Sequence, residues 1–462
     1  MLKKVCIQGL GFVGSAMAAA VSLSRDAKGQ PHFNVVGVEL DTEKGVSRVN
    51  SINKGVFPFE TSDDALIAAM KMGHRSGNLS ATTDPSNYQD ADIIVVDIDL
   101  DIPFLENEPQ LEFDQFKRAI RSIGMRMNPN ALIIIETTVP PGTCMNVVYP
   151  VLVEEFIKRG LSREKIKLAH SYERVMPGKN YLDSIVNIWR VYSGDSTKAA
   201  NECEDFLTKV INVSDFPLTR LSSTTASETA KVLENTYRAM NIAFMCEWTR
   251  FAEKVNLDLF EIIAAIQKRP THANLRYPGL GIGGYCLTKD PAFAPAAAKQ
   301  LFNQDLDFPF SNLAIKEAAK MPTHGVDSLV ELLDNKVEGK RILICGVSYR
   351  QDVADTRYSP SETVYIKLKE MGALVSCHDP YVEFWDEMKI DVLSSLPPCR
   401  GYDAVLFAIP HSEYMEIDLL EWVEDYRATK ILDCFMVFSS EERRRCRQQG
   451  LDVNAIGVAR GL

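Results

Sequence analysis

The segment Lys3-Lys-Val-Cys-Ile-Gln8 reads as a short buried strand. It runs straight into Gly9-Leu-Gly11-Phe12-Val13-Gly14 and then into the small-residue helix Ser15–Ser22. Few local patterns constrain a fold so tightly. The first glycine permits a tight turn, the second lets a pyrophosphate approach, and the third lets helix and strand pack closely. Phosphates then lie at the helix N-terminus, where N–H groups point outward. The next strand, Phe33–Glu39, completes a βαβ unit that the loop 26–32 lengthens slightly. Its terminal acid, Glu39, accepts ribose hydroxyls and repels a 2′-phosphate, which predicts NAD rather than NADP. A flavin-binding or unliganded Rossmann domain is the alternative.

Strands follow at 92–96 and 131–136, and alternation with helices implies a mostly parallel sheet covered on both faces. Between Ser222 and Val255 the apolar positions recur at helical spacing without internal proline or glycine. That predicts a long helix as the hinge between domains. A second βαβ-like unit begins at Lys340–Gly346 and continues through a helix at 361–371 and strands at 373–377, 402–409 and 429–433. The predicted fold class is α/β, with two Rossmann-like doubly wound domains joined by a central helical domain. The expected boundaries are 1–212, 213–322 and 323–462.

With 462 residues the chain is too long for one core. Its net charge of −11 argues against a general nucleic-acid binder, though a local pocket for an anion can still be basic. The ten cysteines form no CxxC pair, and the seven histidines make no metal pattern. Several thiols sit inside strands, as Cys6 and Cys345 do, and suit a reducing, cytoplasmic setting. No signal peptide is expected before the first strand, and no apolar run is long enough for a membrane span.

Cys286 stands apart. It lies in Gly279-Leu-Gly-Ile-Gly283-Gly-Tyr-Cys286-Leu-Thr-Lys289-Asp290-Pro291, a glycine-rich loop that suits close approach to a ligand. Nearby cations favour the thiolate, the nucleophilic form. A buried structural cysteine is the plain alternative. Lys231 and Asn235 fall one helical turn apart and share a face, which fits either an active-site pair or a solvated surface. Hydroxyls in Glu136-Thr-Thr138-Val-Pro-Pro-Gly-Thr143 either serve a ligand or cap a helix. Glu173-Arg174 before Val-Met-Pro-Gly178 reads most simply as a surface ion pair. His378 and His411 read as loop or core hydrogen-bonders rather than catalysts.

Taken in order along the chain, these motifs resemble the UDP-glucose/GDP-mannose dehydrogenase family. The resemblance also covers Gly346-Val-Ser-Tyr-Arg350…Asp355-Thr-Arg357…Ser359-Pro360 and runs nearly end to end. It implies an NAD domain, a central helical domain that forms a homodimer or higher homo-oligomer, and a nucleoside-diphosphate domain. It implies oxidation of a sugar C6 alcohol to the carboxylate, with two NAD+ and one water. In that scheme Asp290 is the base acting through water, Lys231 and Asn235 are oxyanion donors, and Thr138 holds a water. Cys286 carries a thiohemiacetal and then a thioester, and Glu173 serves its hydrolysis. Gly9, Gly11, Phe12, Val13, Gly14, Glu39 and Thr138 would hold NAD. Glu173, Arg174, Lys231, Asn235, Tyr277, Gly283, Arg350 and Arg357 would hold a UDP-sugar. No metal, nucleic-acid partner or membrane is implied, and the anionic product would feed polysaccharide assembly.

Some positions depart from the family pattern. Arg350 stands where lysine is frequent. His272 occupies the place of an arginine that reaches a neighbouring subunit's sugar, with Arg269 and Arg276 close by. Asp97-Ile-Asp99-Leu-Asp101 replaces a stretch that normally reads Val-Pro-Thr-Pro or Gly-Thr-Pro. Its carboxylates either alter NAD affinity or face solvent. The sugar is read as a UDP-N-acetylhexosamine, with UDP-glucose next and GDP-mannose third. Two rivals stay open: a two-electron β-hydroxyacid-type dehydrogenase, which needs no cysteine nucleophile, and a non-catalytic nucleotide-sugar binder.

Overall fold

The structure, a computed structural model, describes residues 2–105, 108–423 and 429–461. The chain forms two compact units. The first comprises Met1–Glu234 with Ala292–Asp307, and the second Asn235–Pro291 with Phe308–Leu462.

The first unit is built on an eight-stranded sheet. In spatial order its strands are Thr219–Arg220, Val191–Gly194, Lys167–His170, Leu132–Ile135, Ile93–Val96, Lys3–Gln8, Phe33–Val38 and Leu79–Thr82. All neighbours are parallel except Lys167–His170 with Val191–Gly194. The strand interiors are fully buried, as in Ile93-Ile-Val-Val96 and Leu132-Ile-Ile-Ile135, because helices cover both faces. From Lys3–Gln8 the chain first winds toward Leu79–Thr82 and later, from Ile93–Val96, toward the opposite edge. The switch point therefore opens beside the carboxyl ends of these two strands, where open α/β sheets bind ligands.

In the second unit a five-stranded parallel sheet runs Leu374–His378, Arg341–Cys345, Ala404–Phe407, Lys430–Asp433, Val453–Ala455. Its switch point lies beside Arg341–Cys345, so the loop 346–359 opens there. Ser359 caps the helix Pro360–Glu370 by accepting the Ser361 N–H, with proline at the first turn.

The expected long helix is present as Thr224–Lys254, 31 residues and about 46 Å at 1.5 Å per residue. Each predicted strand of both sheets falls within two residues of its observed limits.

Candidate active site

The glycine motif separates its three roles in the backbone. Gly9 has φ +90°, and a Cβ there would lie 2.2 Å from the Asp97 carbonyl oxygen. A Cβ on Gly14 would lie 1.9 Å from the Gly9 carbonyl, so the helix can seat on the strand only without one. Gly11 meets nothing within 4 Å, which leaves its face open to a phosphate approaching the N-terminus of Phe12–Leu23. Glu39 accepts the Leu10 and Leu40 N–H groups, both at 2.8 Å, and pairs with Arg48 at 3.3 Å. The acid expected to meet the ribose is thus held against the glycine turn. These residues fit a dinucleotide.

The Asp97–Asp101 stretch divides. Asp99 and Asp101 are exposed, while both Asp97 carboxyl oxygens are buried without a hydrogen bond. Burial, and after it the Glu173 carboxylate, push the Asp97 carboxyl well above the usual range, against the pull of Arg190. Arg190 itself is buried and pairs with Glu136. Thr137, rather than Thr138, ties the two strand ends: its hydroxyl accepts the Ile98 N–H at 2.8 Å and donates to the Val96 carbonyl at 3.1 Å. Thr138 is buried beside it.

Lys231 is buried and donates to the Glu173 carbonyl at 2.7 Å and carboxylate at 3.2 Å. Glu173 also accepts the Val175 N–H. Arg174 turns the other way, with its guanidinium fork on Glu234 at 2.8–3.2 Å. Glu173 and Arg174 are therefore not each other's partners, which corrects the surface-pair reading. Tyr172 lies between the two cations: Lys231 Nζ is 5.5 Å and Arg174 Cζ 5.4 Å from its ring.

In the second unit Asn235 and Asp290 are buried together. Asn235 Nδ2 donates to Asp290 Oδ2 at 2.6 Å, and Lys289 pairs with Oδ1 at 3.1 Å. Cys286 is the one exposed cysteine, and the other nine are buried. Its loop needs its glycines. Gly284 has φ +84°, and a Cβ would strike the Tyr349 ring at 2.5 Å, while one on Gly283 would meet Pro360 at 2.6 Å. The cysteine loop thus lies directly on the 346–360 segment. Arg357, forked onto Asp355 with Nη2 at 2.7 Å, sits 5.3 Å from the ring of Tyr285, and Lys289 sits 4.4 Å from the same ring. Two cations therefore flank the residue before Cys286. Arg350 and Tyr277 are exposed; Tyr277 stacks on Phe260 at 5.5 Å. Tyr358, at φ +54°, holds a conformation that bulky side chains rarely take, the kind of strain that collects at ligand loops.

His411 and His378 are fully buried hydrogen-bonders, as expected. His411 Nδ1 accepts the Asp352 N–H at 2.9 Å, so Nε2 carries the proton toward Asp379 and Ser348, both at 3.1 Å. Asp379 in turn accepts the Val347 and Ser348 N–H groups at 2.8 and 3.0 Å. The histidine thereby braces the start of the 346–359 loop. A separate cavity of about 400 Å³, lined by residues such as Arg250, Glu253, His324, Glu331 and Arg460, contains none of the motif residues. Among the described residues there is no metal-ligand cluster, and no helix is long and apolar enough to cross a membrane.

Sequence comparison matches this arrangement in register. The NAD binding domain of the UDP-glucose/GDP-mannose dehydrogenase family matches residues 3–211, its central domain 225–315 and its UDP binding domain 343–440. The chain belongs to that family. It is 30% identical over 417 residues to a UDP-N-acetyl-D-mannosamine dehydrogenase of Methanocaldococcus jannaschii, covering 90% of this chain and 87% of that protein. An enzyme of the same name from Campylobacter jejuni is 26% identical, covering 90% and 97%. The solved UDP-D-ManNAc dehydrogenase of Pyrococcus horikoshii superposes with a TM-score of 0.83 at 26% identity, covering 98% and 99%. A Pyrobaculum islandicum UDP-glucose dehydrogenase shares the fold, with a TM-score of 0.81 at 20% identity, covering 99% of this chain and 98% of that one. Family membership makes the chain an NAD-dependent nucleotide-sugar dehydrogenase and favours it over both rival classes.

Proposed function

We propose that the protein oxidises the C6 hydroxyl of a UDP-N-acetylhexosamine to the uronate, with UDP-N-acetylmannosamine as the first candidate. The full-length similarity to enzymes named for that sugar carries the reading. UDP-glucose is the second candidate.

When bound, NAD+ accepts a hydride from C6, twice per sugar. Asp290, through a water, takes the hydroxyl proton in the first transfer. Lys231 and Asn235 donate to the oxygen as charge develops, and Thr138 holds a water. The Cys286 sulfur then adds to the aldehyde carbon, and its proton passes to the carbonyl oxygen. Loss of the second hydride and that hydroxyl proton leaves a thioester. Glu173 draws a proton from water, which attacks the carbonyl carbon and breaks the C–S bond. The balance is one alcohol, two NAD+ and one water giving one carboxylate, two NADH and three protons. Covalent retention keeps the aldehyde from escaping.

Phe12 and Val13 flank the pyrophosphate turn, while Arg174, Tyr277, Gly283, Arg350 and Arg357 contribute to the UDP-sugar site. The functional parts are taken as 1–212, 213–322 and 323–462. A homodimer is supported by the long helix, where Tyr237, Phe244 and Phe251 recur every seven residues and are each about half exposed. Trp248 and Val255 add further exposed apolar side chains to this stripe, and contiguous exposed apolar surface marks interaction sites. The exposed Arg269, His272 and Arg276 are the residues available to reach a second subunit's sugar. An exposed reactive thiol supports a reducing, cytoplasmic location.

The test is NADH formation at 340 nm with UDP-N-acetylmannosamine, UDP-N-acetylglucosamine, UDP-glucose and GDP-mannose. The highest kcat/KM is expected with UDP-N-acetylmannosamine. A preference for UDP-glucose would move the substrate to the second candidate, and no turnover with any would remove the enzymatic reading.

A further inference from the structure

Glu228 is completely buried and lies three residues before Lys231, on the same face of the long helix. Its carboxylate is saturated with donors. Oε2 accepts the Gly142 N–H at 2.6 Å, Oε1 accepts the Cys144 N–H at 2.7 Å, and the Cys144 thiol also bonds to it. These N–H groups lie at the start of a helix, Gly142 just before it and Cys144 at its first residue, one π-type turn at Cys144–Val148 running on as Tyr149–Lys158. A carboxylate there satisfies donors the helix itself cannot.

The neighbouring contacts show what is being held. One residue earlier, Ser227 bonds His170 at 2.7 Å and Ser193 at 2.6 Å, fixing the helix to two strand ends. On the next turn Lys231 reaches Glu173. The loop is also pressed from outside: Gly142 has φ +88°, and a Cβ there would meet the Phe302 ring at 2.6 Å. Phe302 follows the helix Phe293–Gln300, which begins three residues after Asp290. Glu228 is thus the only link among these that joins the Thr138–Thr143 loop to the helix turn bearing Lys231.

We propose that Glu228 is a positioning residue for the oxidation: its carboxylate locks the Thr138–Thr143 loop to the helix, so that Thr138 and Lys231 keep one spacing through both hydride transfers. This rests on the roles given to Thr138 and Lys231 above.

The lock depends on charge. A carboxylate accepts at both oxygens, whereas the neutral acid carries a proton where an N–H must point, and one bond is lost. Burial works against the charged form and the donors work for it, leaving the carboxyl raised to about 7. The titratable group facing it is the Cys144 thiol from the loop, with Asp195 acting on that thiol; Lys231, on the next turn of the same helix, is held by Glu173. His170, behind Ser227, is held neutral by burial.

Two variants and one exchange measurement test this. Wild-type kcat should fall by ~10-fold per pH unit below neutrality. Glu228→Gln, with one acceptor in place of two, should lower kcat by at least ~10-fold, leave KM for NAD within ~2-fold, and abolish that acidic limb. Cys144→Ala removes one donor and should shift the limb upward by ~0.5 pH unit. Hydrogen exchange at the Gly142 and Cys144 amides, corrected for intrinsic rate, should accelerate as pH drops through 7. This readout stands even if no UDP-sugar is turned over. It also decides the matter, with Cys144→Ala, if Glu228→Gln does not fold. A wild-type pH profile in Glu228→Gln, an unmoved limb in Cys144→Ala, or pH-independent protection of the two amides would each overturn the proposal.

Discussion

Asn235 Nδ2 lies 2.6 Å from Asp290 Oδ2, and both side chains are almost wholly shielded from solvent. The bond joins a helix turn to the residue four places after Cys286. It fixes the carboxylate proposed to collect the C6 proton and leaves Asn235 Oδ1 buried without a partner. A buried polar atom left open in this way is a place for a ligand or water to bind.

Asp290→Asn should therefore reduce kcat by 10²-fold or more, the usual scale for removing a general base, with a smaller change in KM. Steady-state NADH formation checks it. A loss confined to KM would make Asp290 a binding residue instead.

Cys286→Ala should remove the second oxidation while leaving the fold intact, since the side chain is exposed. The expected outcome is no uronate, with any residual turnover limited to roughly one NADH per sugar. Mass spectrometry of acid-quenched wild-type protein during turnover should reveal an acyl adduct on the peptide carrying Cys286.

The glycine motif gives a paired prediction. Gly14→Ala forces a Cβ into the Gly9 carbonyl and should destabilise the protein by more than the roughly 1–3 kcal/mol of ordinary overpacking. Gly11→Ala meets open space, so its melting temperature should stay near wild type while NAD binding is lost. Calorimetric melting and NAD titration separate the two.

Much of this was legible because the constraints are local. Gly9 and Gly14 answer to a neighbour within a few residues or to the adjacent strand end, and Gly11 lies between them facing open space. The Cys286 loop likewise carries its own chemistry. What sequence reading missed depends on distant partners. Glu228 meets Gly142 and Cys144 across 86 and 84 residues, and only its i, i+3 spacing from Lys231 hinted at a shared face. Asp97 could not be told apart from Asp99 and Asp101, which either alter NAD affinity or face solvent, because Arg190 and Glu173, which act on it, lie far along the chain. Glu173 and Arg174 looked paired because they are adjacent, yet neighbouring side chains of an extended segment point to opposite sides.

Glu39→Ala should weaken NAD binding by roughly 10–100-fold, the scale of a lost hydrogen bond to a charged group. It should also narrow discrimination against NADP, because Arg48 then stands without its carboxylate partner. Titration of both cofactors checks this.

Stability should fall on the acid side. Burial holds His170 down to about 3 and His378 to about 4, below the ordinary 6.5. Their folded forms resist protonation, so their contribution is lost as pH drops from 6.5 through those values. Glu228 runs the other way: its raised value makes the folded state less stable as pH rises from 4.5 to about 7. Denaturant midpoints in His378→Asn should vary less between pH 6.5 and 4 than in wild type.

The most direct test of the account counts NADH per uronate formed with the UDP-sugar that turns over fastest. The four-electron reaction through Cys286 predicts two NADH for each sugar consumed, with no free aldehyde. One NADH per sugar, with the aldehyde released, would contradict it and return Cys286 to a structural role.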